Sequence, residues 1–124
     1  MLERSKERPS TSQRKSALLE QIAVYVDAHL TEKLTLKAIS AYCGVSVSTV
    51  TQLFQKKAST TFHDFVTQRR MEMAQKLIRA GVPLEQVGKE VGYRDHSTFY
   101  RAFRRQFDLS PREYRMQVTA EQNT

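Results

Sequence analysis

A single cysteine, Cys43, stands in 124 residues, so the chain has no means of closing an internal disulfide. Its place on an apolar helical face reads as a small buried hydrophobe, with no chemistry assigned to it. No run approaches the eighteen or more apolar residues that a membrane span requires. The N-terminal stretch MLERSKERPSTSQRKS is polar throughout and unlike a secretory leader. A soluble, cytoplasmic protein is expected. Catalytic groupings are missing too. His29, His63 and His96 lie far apart with no metal-ligand spacing, and there is no glycine-rich phosphate loop, nucleophile elbow or cysteine pair. These absences argue against an enzyme and leave no cofactor or metal to expect.

Carboxylates are missing in particular places, and this is more telling than their total. The formal net charge is +7. None of the acids falls between Glu32 and Asp64, where Lys33, Lys37, Lys56 and Lys57 lie, and none falls from His96 to Phe107, where Arg101, Arg104 and Arg105 lie. Two acid-free basic segments are the footprint expected of a surface that meets a polyanion.

What is present is helical periodicity. Apolar residues recur three and four apart nearly everywhere, with no convincing alternating strand, so the fold class is all-α, in seven helices. Helix one is expected from about Ser16 to Leu30, with Leu18, Ile22, Tyr25 and Val26 inward. Helix two follows Thr35 and stops at Gly44. Ser46 caps helix three, whose inward face is Val47, Val50, Leu53 and Phe54. Helix four runs from a cap at Thr61 to about Ala80, with Asp64 completing a capping box, and spans roughly 28 Å at 1.5 Å per residue. Helix five covers Leu84 to Val91, helix six about Asp95 to Phe107, and helix seven starts at Ser110 with Pro111 first and Glu113 closing a capping box. Residues 1–15 and 118–124 read as tails, flexible and basic at the front. The domain proper is 16–117.

Sliding the chain along itself exposes a repeat. LKAISAYCG (36–44) lies over LEQVGKEVG (84–92) at an offset of 48, and after the glycines the offset becomes 49 because the second turn carries one more residue. Val50 then lies over Phe99, Phe54 over Phe103, Thr61 over Ser110, Asp64 over Glu113 and Phe65 over Tyr114. Each unit is a short helix, a glycine turn and a second amphipathic helix: a helix-turn-helix, once over about 36–57 and again over about 84–107, joined by the long helix four at about 61–80.

In such a unit the second helix enters the major groove. On helix six the outward face is His96, Ser97, Tyr100, Arg101, Arg104 and Arg105. Arg101 is the best candidate for reading a base, because its fork matches a guanine edge, although a phosphate is the competing partner. His96 and Tyr100 reach bases or phosphates. On helix three the outward face is Ser48, Thr49, Thr51, Gln52, Gln55, Lys56 and Lys57. Gln52 occupies the slot of Arg101 and fits an adenine edge, yet taken alone this face is equally a solvated helix surface. Phosphate contacts are expected from Ser46, Thr49, Lys56, Lys57, Thr61, Arg104, Arg105 and Ser110, partly through the amides at helix starts.

GYRDHSTFYRAFRRQFDLSPREYR, residues 92–115, resembles the signature of the AraC/XylS family of bacterial transcription regulators. The residues that carry it are Gly92, Tyr93, Phe99, Arg101, Phe103, Phe107, Pro111 and Tyr114. IAVYVDAHL, LKAISAYCGVS and RRMEMAQKLI extend the likeness over about residues 18–117, and it is greatest to the single-domain branch that includes the multiple-antibiotic-resistance and superoxide-response activators. The resemblance implies a monomer on double-stranded promoter DNA that places helices three and six in successive major-groove segments and contacts RNA polymerase. By position it implies base contacts from Ser48, Thr51 and Gln52 and from His96, Ser97, Thr98, Tyr100 and Arg101. The best-known single-domain members carry a tryptophan and an arginine where this chain has Ser48 and Gln52, so their DNA consensus does not transfer. The competing expectation is an interaction protein that docks on RNA polymerase or another regulator and binds DNA only weakly.

Overall fold

Caps and glycines cut the chain into its helices. A computed structural model describes residues 11 to 123, and among them are seven α-helices and no strand. They are α1 (Thr11–Ala28), α2 (Leu36–Cys43), α3 (Val47–Leu53), α4 (Phe62–Arg79), α5 (Leu84–Glu90), α6 (His96–Phe107) and α7 (Pro111–Gln122). Thr35 caps α2 by accepting from the Ala38 amide at 3.1 Å. Gly44 ends α2 in the left-handed region, its amide donating to Ala41 and the next amide, Val45, to Ser40. The same pair of bonds follows α5, from Gly92 to Lys89 and from Tyr93 to Gly88.

Four expectations need correction. α1 begins at Thr11 rather than near Ser16 and stops at Ala28, with Leu30 buried in the turn beyond it. Residues 1–10 of the expected front tail lie outside the described residues. The expected rear tail is largely helix, because α7 continues to Gln122 and buries Val118 to 3% exposure. α3 does not run on as regular helix: Phe54–Ala58 forms a π-helical turn that ends at Ser59 in the left-handed region. Finally, Val47 faces out, 42% exposed. A helical side chain leans over the turn before it, and at the first position there is no such turn to cover.

The chain divides into two compact units. The first holds the described residues through Tyr25 together with Thr35–Phe62. Ile22, Ile39, Val50, Leu53, Phe54 and Phe62 are buried there, with Phe54 and Phe62 edge-on at 5.7 Å. The second unit holds Val26–Leu34 and everything from His63 on, so α4 belongs to it except for its first residue. Its core is Met71, Ala74, Ile78, Val87, Val91, Phe99, Phe103, Tyr114 and Val118, and the Phe103 ring meets those of Phe99, Phe107 and Tyr114 at 6.0, 4.7 and 5.7 Å. Each valine, isoleucine, methionine or phenylalanine among them stabilises the fold by about 1.5–3 kcal/mol on burial.

Arginines on α4 and α7 hold the second unit together. Arg69 makes a two-pronged pair with Asp27. Arg70 donates to the carbonyls of Leu30 and Glu32 at 3.1 and 2.9 Å, and burial pulls its guanidinium below its ordinary value. Arg115 donates to the Val82 and Ile78 carbonyls at the end of α4. All three arginines are half-buried.

Candidate nucleic-acid interface

Each repeat aims its second helix with the same device. In the first, Ser46 has extended backbone and its hydroxyl accepts from the Thr49 amide at 3.0 Å, while the two hydroxyls meet at 2.9 Å. In the second, Asp95 accepts from both the Thr98 amide, at 3.0 Å, and the Thr98 hydroxyl, at 2.8 Å. Those bonds, the hydroxyl foremost, hold the Asp95 carboxyl below the usual carboxylate range, and the Arg101 charge pulls in the same direction. A threonine at the third helical position therefore closes both caps, and the hydroxyls of Thr49 and Thr98 are already engaged.

Beyond the caps the outward faces stand where the register places them. On α6, His96, Ser97, Thr98, Tyr100, Arg101, Arg104 and Arg105 are all exposed, opposite the buried Phe99 and Phe103. The rings of His96 and Tyr100, one turn apart, lie 6.3 Å from each other. On the first repeat, Ser46, Ser48, Thr49, Gln52, Lys56 and Lys57 are exposed and Thr51 is half-buried. Lys56 and Lys57 sit in the π-helical turn, where the widened coil carries them beyond the regular part of α3. Thr61 is exposed immediately ahead of α4.

Ser110 does not stand on this surface. It is 2% exposed, its hydroxyl accepts from the Glu113 amide at 3.0 Å, and its own amide donates to the Glu113 carboxylate at 2.7 Å. The capping box seen in the sequence thus consumes the groups that were to meet a phosphate. Hydrogen bonding from Ser110 holds the Glu113 carboxyl low as well.

Other basic residues on the second unit escaped the charge pattern. Lys89, Arg94 and Arg112 line a recess of about 510 Å³ along with Tyr93, His96 and Tyr100, and Glu85 is the one carboxylate on its wall. Arg94 precedes Asp95 and Arg112 precedes Glu113, so counting acid-free segments hides both. The two acids are tied into helix caps and keep their negative charge there. Cys43 is half-buried, and burial raises its thiol above the ordinary value. Among the described residues no group of histidines, cysteines and acids is placed to hold a metal ion, and no helix is long and apolar enough to cross a membrane.

Residues 39–117 match the family model described as a helix-turn-helix domain. The HTH-type transcriptional regulator YijO of Escherichia coli K12 is 31% identical over 108 residues, covering 86% of this chain and 38% of that protein. The regulatory protein SoxS of the same organism is 28% identical over 99 residues, covering 79% of this chain and 92% of its own length. The crystal structure of a transcriptional regulator with an AraC-type DNA-binding domain from Chromobacterium violaceum superposes with a TM-score of 0.79 at 25% identity, over 83% of this chain and 93% of that one. With two capped helix-turn-helix units in register and a family match across more than half of its length, the chain belongs to the AraC-type helix-turn-helix family of DNA-binding transcription regulators.

Proposed function

We propose that the protein binds promoter DNA in a sequence-specific manner as a monomer, with α3 and α6 entering adjacent major-groove segments, and activates transcription by contacting RNA polymerase. The observation that carries this reading is the duplicated geometry of the caps, Ser46 with Thr49 and Asp95 with Thr98, each followed by an exposed polar and basic face. A groove-reading helix must present its early outward side chains to base edges while its core face is locked, and both helices have that form.

On α6, Arg101 reads a guanine edge, His96, Ser97 and Tyr100 make further base contacts, and Arg104 and Arg105 grip phosphates. Thr98 donates its hydroxyl proton to Asp95, so it offers a base its methyl group and the acceptor side of that oxygen. On α3, Gln52 reads an adenine edge, with Ser48 and the half-buried Thr51 beside it, and Ser46, Thr49, Lys56, Lys57 and Thr61 line the flanking phosphates. DNA specificity is therefore weighted toward α6.

The test is a binding titration on a promoter fragment recovered by genome-wide mapping. Arg101→Ala is expected to weaken binding about 10- to 100-fold and to relax preference at one base pair, and Gln52→Ala to weaken it less. Affinity should fall steeply between low and physiological salt, as counterion release demands. Wild-type binding by both variants together with a flat salt response would overturn the reading in favour of a protein that acts mainly by docking on polymerase. The complex should contain one protein per site; two per site would refute the monomer.

A further inference from the structure

A small recess of about 100 Å³ in the first unit is lined by Lys15 and Leu18 of α1 and by Thr49, Gln52, Leu53 and Lys56. It brings the extended start of α1 against the helix proposed to read DNA. Leu18 and Leu53 form its apolar part. Lys15, one turn ahead of Leu18, lines this recess together with Gln52 and Lys56.

The sequence around Lys15 has the same character as the two reading segments. From Arg8 to Leu19 there is no carboxylate, while Arg8, Arg14 and Lys15 fall inside. Arg14 is exposed and Lys15 half-buried, as expected of a lysine whose stem lies along apolar surface and whose ammonium reaches out. A carboxylate in this place would repel a DNA backbone running past α3. Two lysines, Lys15 and Lys56, lining the same recess as Gln52 attract one.

We infer that the start of α1 is a third DNA-contacting element, in which Lys15, together with Lys56, grips the backbone phosphate flanking the base step that Gln52 meets. This rests on the proposal that α3 enters the groove. It explains how a helix with small, weakly discriminating side chains is held there: α1 adds sequence-independent attraction to that of Lys56 and Lys57. Each phosphate neutralised contributes about 0.9 to the slope of log affinity against log salt.

The experiment compares wild type, Lys15→Ala, Lys15→Arg and Arg101→Ala on the same mapped promoter fragment over a salt series, with phosphate-ethylation interference on both strands. Lys15→Ala is expected to lose about fivefold in affinity at physiological salt, with the salt slope shallower by about one and base preference unchanged. One phosphate in the α3 half of the site should cease to interfere when ethylated. Lys15→Arg should restore affinity and slope, and all variants should melt with wild type. Wild-type affinity and slope for Lys15→Ala, while Arg101→Ala binds poorly, would overturn this inference and leave the DNA reading standing. Wild-type binding by Arg101→Ala and Lys15→Ala alike would sink the DNA reading itself.

Discussion

The two repeats keep one register in different materials. The segment Val47–Ala58 of the first matches His96–Phe107 of the second residue for residue at an offset of 49, yet the first ends in a π-helical turn and the second is regular α-helix throughout. Val50 holds the first inward, where Phe99 holds the second. Ser40 stands where the second has Gly88, and a neutral cap, Ser46, stands where the second has Asp95. The second repeat spends its small residue to admit a large one: a Cβ on Gly88 would lie only 3.2–3.3 Å from the Phe99 side chain. The rings of Phe99, Phe103 and Phe107 anchor α6, whereas Val50 and Leu53 anchor α3, with the one ring of Phe54 in the turn that follows.

The glycines that end α2 and α5 give the largest test of this difference. Both have positive φ, +68° at Gly44 and +102° at Gly92. A Cβ on Gly44 would meet nothing within 4 Å, whereas one on Gly92 would lie 2.2 Å from the Leu30 carbonyl oxygen and 3.1 Å from Arg70 Nε. Gly44→Ala should cost about 1–2 kcal/mol from backbone strain alone. Gly92→Ala should cost well over 3 kcal/mol or prevent folding, since backbone must move and the Arg70 bonds to Leu30 and Glu32 go with it. Denaturant midpoints of the two variants check this; equal losses would mean that the second turn is no more constrained than the first.

The next effect is smaller and is confined to the second repeat. Gly88→Ala gains about 1 kcal/mol of helix propensity but pushes a methyl against the fully buried Phe99, an overpacking cost of about 1–3 kcal/mol. A net destabilisation of about 1 kcal/mol is expected. Ser40→Ala removes only a local bond from Ser40 Oγ to the Lys37 carbonyl at 3.0 Å and improves propensity, so it should be neutral within about 0.5 kcal/mol. Thermal melts of both, and of Gly88→Ala combined with Phe99→Leu, sharpen the comparison. Failure of the second change to relieve the first would show that the ring is not the obstacle.

Much of this was legible in the sequence because it rests on local chemistry. Ser46 and Ser110 act on amides three residues away, and Gly44 and Gly92 act on their own φ, so these caps and stops could be placed from spacing, whereas the Asp95 cap emerged only in the structure. The periodic core of α6 was legible for the same reason. What sequence reasoning missed depends on tertiary contact. Arg69 and Arg70 look like surface charge until Asp27 and the carbonyls of Leu30 and Glu32 are brought to them. Ser110 looked available because a capping box does not announce that its serine will be buried beside Pro111. The π-helical turn has no sequence signature here, and the recess that Lys15 and Gln52 both line appears only when α1 is seen to start earlier than its apolar pattern.

The smallest expected effect separates the caps by pH. Asp95 and Glu113, both in the second unit, have carboxyls held below the usual range by their cap bonds, whereas the Ser46 cap does not titrate. A carboxyl whose folded value is depressed contributes stability above its unfolded value and loses it as pH falls through the folded one. Acid should therefore loosen the starts of α6 and α7 while the start of α3 holds. Amide exchange, corrected for its intrinsic pH dependence, should show protection at Thr98 and Glu113 declining below the ordinary carboxylate range, with Thr49 unchanged. Asp95→Asn, which keeps a capping oxygen without the charge, should abolish the decline at Thr98 alone. Parallel loss at Thr49 and Thr98 would show instead that acid opens both repeats together, through contacts other than their caps.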